Sequence, residues 1–380
     1  MDAPASLMEL LEGLHDPRRA QGKRHPLPAL LGLAVVGMLA GMTSYEAIAQ
    51  YGKERGWPFL QLLGFTTRWG LCKATYSRVF RRIDAADFEA RVGRWIGARL
   101  GRDDAPHLSI DGKTARGSRE GTTPGVHLVS AYAPDVKAVL AQLRVDAKTN
   151  EHKAALELLG VPPLKGRIIT GDAMFTHRDI CSAVIAAGGI TCCRSRTTSR
   201  RSPATSRPPS PSRRPAFPPL QAARHEAEIE RAEEVDKGHG RIEKRSIEVT
   251  SSLADYLGSD WLGCSRVYRL RRERRAGAKV EVEVVLGIAS LSRERAGAKE
   301  LLALTRGHWG IENGLHGVRD GTLREDTSRI RRGSAAQVMA IVRNIAVFVF
   351  DRQGYKSAAA ATRHYVCHPE ETLEILSTPD

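Results

Sequence analysis

Apolar residues recur at helical spacing through the first hundred positions. Leu30 to Ala40 reads as one helix, and Ser44 is placed to cap a second through Ile48 to Tyr51. Thr75 to Arg82 and Asp84 to Leu100 follow, the latter with Phe88, Val92, Trp95 and Ile96 at helical spacing. The apolar run from Leu27 to Met42 contains Pro28 and three glycines and falls short of the ~20 residues a spanning helix needs, so it reads as buried. It follows Arg24 as a leader peptide would, but no cleavage site follows. After residue 100 the period shortens. His107 to Gly112, Val126 to Tyr132 and Ala138 to Val145 read as strands, the last two joined by a turn at Pro134-Asp135. Asn150 to Leu159 is helical, Gly166 to Asp172 is a fourth strand, and Thr176 to Ala187 is a helix. Residues 240–292 read as an inserted β-rich unit, with Ile242, Ile247, Val249, Val267–Leu270 and Val280–Ile288 strand-like and Gly277 in a turn. Helices return at Ala296 to Asn313 and Ala335 to Phe350, and residues 351–380 read as a loose tail.

The order β-β-β-α-β-α describes an RNase H-like core, an α/β fold, here carrying the β-rich insertion before its last helix. The expected domains are a helical N-terminal association and DNA-binding region (1–100), the core (101–350) and the tail. Two of its strands end at acids, Asp111 and Asp172. Two-metal phosphoryl transfer needs clustered carboxylates holding two divalent cations about 3.5–4 Å apart. A third acid must come from a later helix, and Trp309-Gly-Ile-Glu312-Asn313 supplies one. Glu151, opening the helix after the third strand, is the chief rival, and Asp320, Glu325 and Asp326 are others. Oxygen ligands suit Mg2+ or Mn2+.

Charge adds a partner to this picture. The 380 residues carry a net charge of +15, an excess that enzymes of small acids do not need and that phosphates exploit. Arg78, Arg81 and Arg82 lie close together on a short helix, either a phosphate-facing edge or a solvated surface. Six cysteines show no CxxC spacing, so neither a zinc site nor a disulfide frame is signalled and a reducing cytoplasm fits.

Five motifs then occur in order: Ser109-Ile-Asp111-Gly-Lys113; Lys148-Thr-Asn-Glu151; Thr170-Gly-Asp172-Ala-Met174; His239-Gly-Arg241-Ile-Glu243-Lys-Arg245; and Arg306-Gly-His308-Trp309-Gly-Ile-Glu312-Asn313-Gly-Leu-His316. In this the chain resembles the H-repeat-associated (ISAs-type) branch of DDE transposases of bacterial insertion sequences, from about residue 7 to residue 350. The resemblance implies Asp111, Asp172 and Glu312 as the catalytic, metal-binding triad on Mg2+ or Mn2+. It implies double-stranded DNA as partner, both terminal inverted repeats and target, bridged by a homo-oligomer at the bacterial nucleoid. His308 and Trp309 would shape the Glu312 helix. Expected DNA contacts are Lys113, Arg78, Arg82, His308 and Arg319. Arg241 and Arg245 either bind DNA ends or form ion pairs with Glu243 and Glu248.

Two stretches depart from the family. Gly317-Val-Arg-Asp-Gly321 replaces an aromatic-bearing segment, and its two glycines weaken a helix by about 1 kcal/mol each. From Ile190 to Arg214, rich in Arg, Ser and Pro, the family's strand and Lys-x-Asn-Gln motif are absent. One inserted nucleotide in a suitable choice of codons restores both, so we expect a frame-slipped segment, unstructured along its length. That slip would make seven arginines artefacts and weaken the charge argument. A second reading of the whole chain is a remnant that binds DNA without turnover.

Overall fold

The computed structural model describes residues 4–67, 69–101, 104–145, 150–194, 229–238, 240–258 and 260–378. Its mixed α/β chain divides into two compact units. The first comprises Met1–Ala105, Gly112–Asn150 and Gly310–Asp380; the second comprises Pro106–Asp111 and Glu151–Trp309.

In the first unit, helices α1 (Leu7–Glu12), α2 (Leu27–Leu39), α3 (Tyr45–Leu62), α4 (Lys73–Phe80) and α5 (Ala85–Ala98) precede the sheet. Their starts follow ordinary capping chemistry. Ser44 Oγ accepts from Ala47 N at 3.1 Å, and Asp84 Oδ1 accepts from Ala86 N and Asp87 N at 3.0 and 3.1 Å. Helix α3 breaks at Gly56, whose φ of 86° lies in the left-handed region, just ahead of Pro58. Helix α2 is buried on every side, as its uniformly apolar sequence requires. Among the described residues, no helix is long and apolar enough to cross a membrane.

Strand β1 (His107–Ala115) runs through the division between the units, its residues from Gly112 belonging to the first. It does not end at Asp111, as the pattern suggests, but continues four residues further. Strands β2 (Val126–Ala133) and β3 (Ala138–Arg144) form an antiparallel pair in the first unit.

The second unit contributes α6 (Glu151–Leu159), β4 (Ile168–Gly171), α7 (Arg178–Ala186), β5 (Ile190–Arg194), β6 (Glu230–Gly238), β7 (Arg241–Thr250), α8 (Ala254–Gly258), β8 (Arg266–Ala276), β9 (Lys279–Ala289) and α9 (Ala298–Gly307). Its strand order is β1-β4-β5-β9-β8-β7-β6. Strands β1, β4 and β5 are parallel, and the rest form an antiparallel meander.

One expectation fails in this unit. Residues 190–194 are not unstructured: β5 pairs with β4 on one side and β9 on the other. Its apolar Ile190-Thr-Cys-Cys is buried, and this short run outweighs the Arg, Ser and Pro that follow it. The remainder of that expectation, 195–214, lies outside the described residues. The β-rich stretch begins at Glu230, ten residues earlier than expected, and extends the core sheet, since β9 pairs with β5.

After α9 the chain re-enters the first unit through a π-helical turn at Ile311–His316, then α10 (Gly317–Gly321), α11 (Ala335–Arg352), α12 (Ala358–Cys367) and α13 (Pro369–Ser377). Residues 358–377, expected within a loose tail, are therefore two packed helices. Helices α12 and α13 pack on α2, and α13 also on α1, burying Ala361, Tyr365 and Leu376.

A polar network crosses the interior of the first unit. Arg319 is fully buried and donates from Nε and Nη2 to both Glu325 oxygens, at 2.8 and 2.7 Å. Its Nη1 donates to Gln142 Oε1 at 3.0 Å and Asn344 Oδ1 at 3.2 Å. Gln142 Nε2 in turn donates to Glu89 at 3.3 Å. Burial pushes the Glu89 carboxyl up to about 8, against the opposing pull of Arg319, so it is a neutral acid at pH 7. A raised folded value means stability present at low pH and lost as pH rises from the ordinary value near 4.5 through about 8. Glu89→Gln, a neutral mimic, is expected to flatten that decline and to be more stable than the parent at pH 8. Urea unfolding of both proteins from pH 5 to 8 checks this, and parallel pH profiles would contradict it.

Candidate active site

Pairing register decides where the first two acids fall. In the parallel β1–β4 ladder, Ser109 lies opposite Thr170 and Ile110 opposite Gly171. Asp111 is thus the next residue along β1, and Asp172 the first residue past the end of β4. Both are half-buried. Asp172 leaves the strand into a turn closed by its own side chain, Oδ1 accepting from Met174 N at 2.7 Å. Its backbone carbonyl accepts from Thr176 Oγ1 at 3.0 Å. Burial raises the Asp172 carboxyl above the ordinary carboxylate range; the Met174 and Phe175 amides oppose this, and nearby Glu151 adds to it. Glu151, at the start of α6, is therefore an electrostatic neighbour of Asp172.

Beneath these acids lies a buried polar cluster. His107 Nε2 meets Thr170 Oγ1 at 2.7 Å, and Thr170 Oγ1 also meets His308 Nδ1 at 3.1 Å and donates to Ser109 Oγ at 3.2 Å. Burial drives the His107 imidazole down to about 4, so it stays neutral. His308, which caps α9, ties that helix to β4 one residue before Gly171-Asp172. It is buried and committed to Thr170, which corrects the expectation that it contacts DNA. Trp309 stacks between two guanidinium groups, Arg194 at 4.9 Å and Arg272 at 5.2 Å from its ring.

Glu312 stands exposed on the π-helical turn of the first unit, a distortion frequent at functional positions. His316 Nδ1 lies 3.5 Å from its Oε2. Two glycines let this turn lie against β2 and its exit. A Cβ at Gly310 would sit 2.8 Å from Pro134 Cβ, and one at Gly314 would sit 2.6 Å from the Tyr132 hydroxyl.

The remaining expected contacts divide sharply. Lys113 is buried, and its ammonium pairs with Asp320 at 2.7 Å and Asp326 at 3.6 Å. Those carboxylates, not a phosphate, satisfy it here. Arg319, locked in the buried network, cannot face DNA; a shape-matched carboxylate, Glu325, outcompetes solvent for its guanidinium. Asp320, Glu325 and Asp326 are all engaged by cations, which accounts for these rival acids. Arg245 pairs with Glu243 and Asp236, and Arg241 Nε lies 3.5 Å from Glu243, so the ion-pair alternative describes both. Arg78 and Arg82 remain exposed. They line a cleft of about 850 Å³ with Arg18, Arg19 and Arg24, in which no carboxylate lines the wall among the described residues.

Asp111 within β1, Asp172 just past the end of the parallel strand β4 and Glu312 on a later helical turn are the acids of this region. Residues 102–349 match the family described as Transposase DDE domain, and residues 8–96 match the DDE_Tnp_1-associated family. The chain belongs to the DDE transposases, within their H repeat-associated branch. It is 29% identical over 382 residues to the protein named as transposase YncI of Escherichia coli O157:H7, covering 97% of this chain and 94% of that one. It is 28% identical over 352 residues to YhhI of Escherichia coli K12, named as an H repeat-associated transposase, covering 90% and 89%. An uncharacterized protein of the dhlA 3′ region in Xanthobacter autotrophicus is 32% identical over 291 residues, 74% of this chain and 92% of that one.

Proposed function

We propose that this chain cuts and joins DNA at the ends of an insertion sequence, with Asp111, Asp172 and Glu312 holding two Mg2+ or Mn2+ ions on an RNase H-like core. The observation that carries the reading is the β1–β4 register, which brings two carboxylates out side by side from parallel strands. The donor set is carboxylate oxygen, and burial, with Glu151 nearby, raises the Asp172 carboxyl against the pull of the Met174 and Phe175 amides and Arg194. Both features fit a hard divalent cation.

Asp111, Asp172 and Glu312 would hold such ions, which would supply activation of the attacking hydroxyl and stabilisation of the leaving oxygen. The chain's own residues supply position. Thr170, His107 and His308 fix the strand that presents Asp172, and the neutral state of His107 adds no charge beside that strand. The two glycines seat the Glu312 turn. Glu151 is the reserve ligand if Glu312 is not the third. DNA enters this proposal as duplex terminal repeats and target, bridged by a homo-oligomer.

The test is cleavage of a duplex carrying the inverted repeat that flanks the gene, with Mg2+ or Mn2+ and with EDTA. Metal-dependent nicking at the repeat boundary supports the proposal; tight, specific binding without any nicking favours the non-catalytic remnant. The Arg78 cleft makes a separate prediction. Each phosphate contact contributes about one to the slope of log affinity against log salt. Arg78→Glu with Arg82→Glu is therefore expected to weaken binding to duplex and to flatten that slope by roughly two units. Titrations between low and moderate salt measure it, and an unchanged slope removes this cleft from the DNA interface.

A further inference from the structure

We propose that His364, His368 and Glu371 form a second metal site, of nitrogen-rich type, that takes zinc and clips α12 to α13. The site lies in the C-terminal helices and is independent of the carboxylate triad.

The two histidines are four residues apart, so they share one face of α12, with His368 capping its end. Their rings stack with centroids 4.2 Å apart and planes within 17°. Glu371 comes from the first turn of α13, across the Pro369 corner, and its Oε2 lies 2.8 Å from His364 Nε2. One donor atom from each of the three residues falls within 4.8 Å of the other two. The tautomer of His368 is set by the backbone. Its Nδ1 is 3.0 Å from the His364 carbonyl, which can only accept, so Nδ1 carries the proton and Nε2 keeps its lone pair. A backbone carbonyl in that role is the usual outer partner of a metal-ligating imidazole.

Two imidazoles and one carboxylate suit zinc, with about 2.0–2.2 Å bonds and a fourth position for water. They do not suit Mg2+, which demands oxygen ligands in near-ideal octahedral array. The chain would thus sort its metals by ligand softness: hard ions at the triad, a borderline ion here. The consequence is mechanical. Helices α12 and α13 pack on α2, and α13 on α1, so a metal bridging them secures the C-terminal helices to the N-terminal ones.

The experiment titrates chelator-stripped full-length protein with ZnCl2 by calorimetry, in Mg2+ buffer that keeps the hard-ion site occupied. One zinc per chain and a melting temperature raised by several degrees are expected. His364→Ala and His368→Ala should each abolish both effects, and Glu371→Gln should weaken zinc at least tenfold. Should the alanine variants misfold by circular dichroism, His368→Asn keeps a donor for the carbonyl but offers no imidazole, and must lose zinc equally. Asp111→Asn must retain it, which separates this site from the triad. So must Cys367→Ser and His152→Ala, the latter because His152, His177 and Asp179 form another cluster of similar size. No zinc uptake, uptake unaffected by the His364 and His368 variants, or uptake lost with His152 would overturn the proposal.

Discussion

Asp111→Asn, Asp172→Asn and Glu312→Gln are each expected to lower metal-dependent strand cleavage by roughly a thousandfold or more, the scale of deleting one group that stabilises transition-state charge. Each replacement is nearly isosteric. Asp111 and Asp172 are half-buried and Glu312 is exposed, so none of the three unfolds a core. Duplex binding should persist, because affinity rests on phosphate contacts elsewhere. Single-turnover cleavage alongside equilibrium binding separates the two effects. If Glu312→Gln keeps full activity while Glu151→Gln loses it, the third acid is Glu151, the electrostatic neighbour of Asp172.

Arg319→Met should be the most destabilising single change in the first unit, by about 3–5 kcal/mol. Removing that guanidinium leaves the Glu325 carboxylate buried at 2% exposure, with Arg343 3.7 Å away and Lys113 a weaker neighbour. Burial works against the charge of Glu325, yet Arg319 and Arg343 together hold its carboxyl below the usual range. Domains are stable by only about 5–15 kcal/mol, so this loss visibly populates the unfolded state. Replacing the whole group, Arg319→Met with Glu325→Leu and Arg343→Met, is expected to recover most of the loss, since no buried charge is then stranded. Denaturant melts of the single and triple variants decide it. A single variant within about 1 kcal/mol of the parent would mean that Arg319 is not structural, and would revive its assignment to DNA.

The chain announced much of this in its pattern. Phe88, Val92, Trp95 and Ile96 marked α5, and Ser44 the cap of α3, because helix periodicity and capping are local. The end of β4 just before Asp172 was legible for the same reason, whereas β1 runs four residues past Asp111. Strand β6 was not. Its alternation runs the wrong way, with Val235 exposed and charged residues half-buried, as befits an edge protected by charge rather than a buried strand. Helices α12 and α13 were missed because alanines and charged residues hide an apolar face of only a few positions, Ala361, Tyr365 and Leu376. Arg319 misled because an isolated arginine belongs by default on the surface, and its partners Gln142, Glu325 and Asn344 are scattered along the chain. At Ile190 a long Arg- and Pro-rich window concealed four residues able to fill a gap between β4 and β9.

Metal occupancy tests the central claim without requiring turnover. Mn2+ binding is measured by electron paramagnetic resonance on the protein bound to a duplex repeat end, in a His364→Ala background that removes the C-terminal cluster. Two Mn2+ per chain are predicted for the intact triad, and essentially none when Asp111→Asn and Asp172→Asn are combined. Equal Mn2+ uptake by the two proteins would show that these carboxylates do not hold the metals.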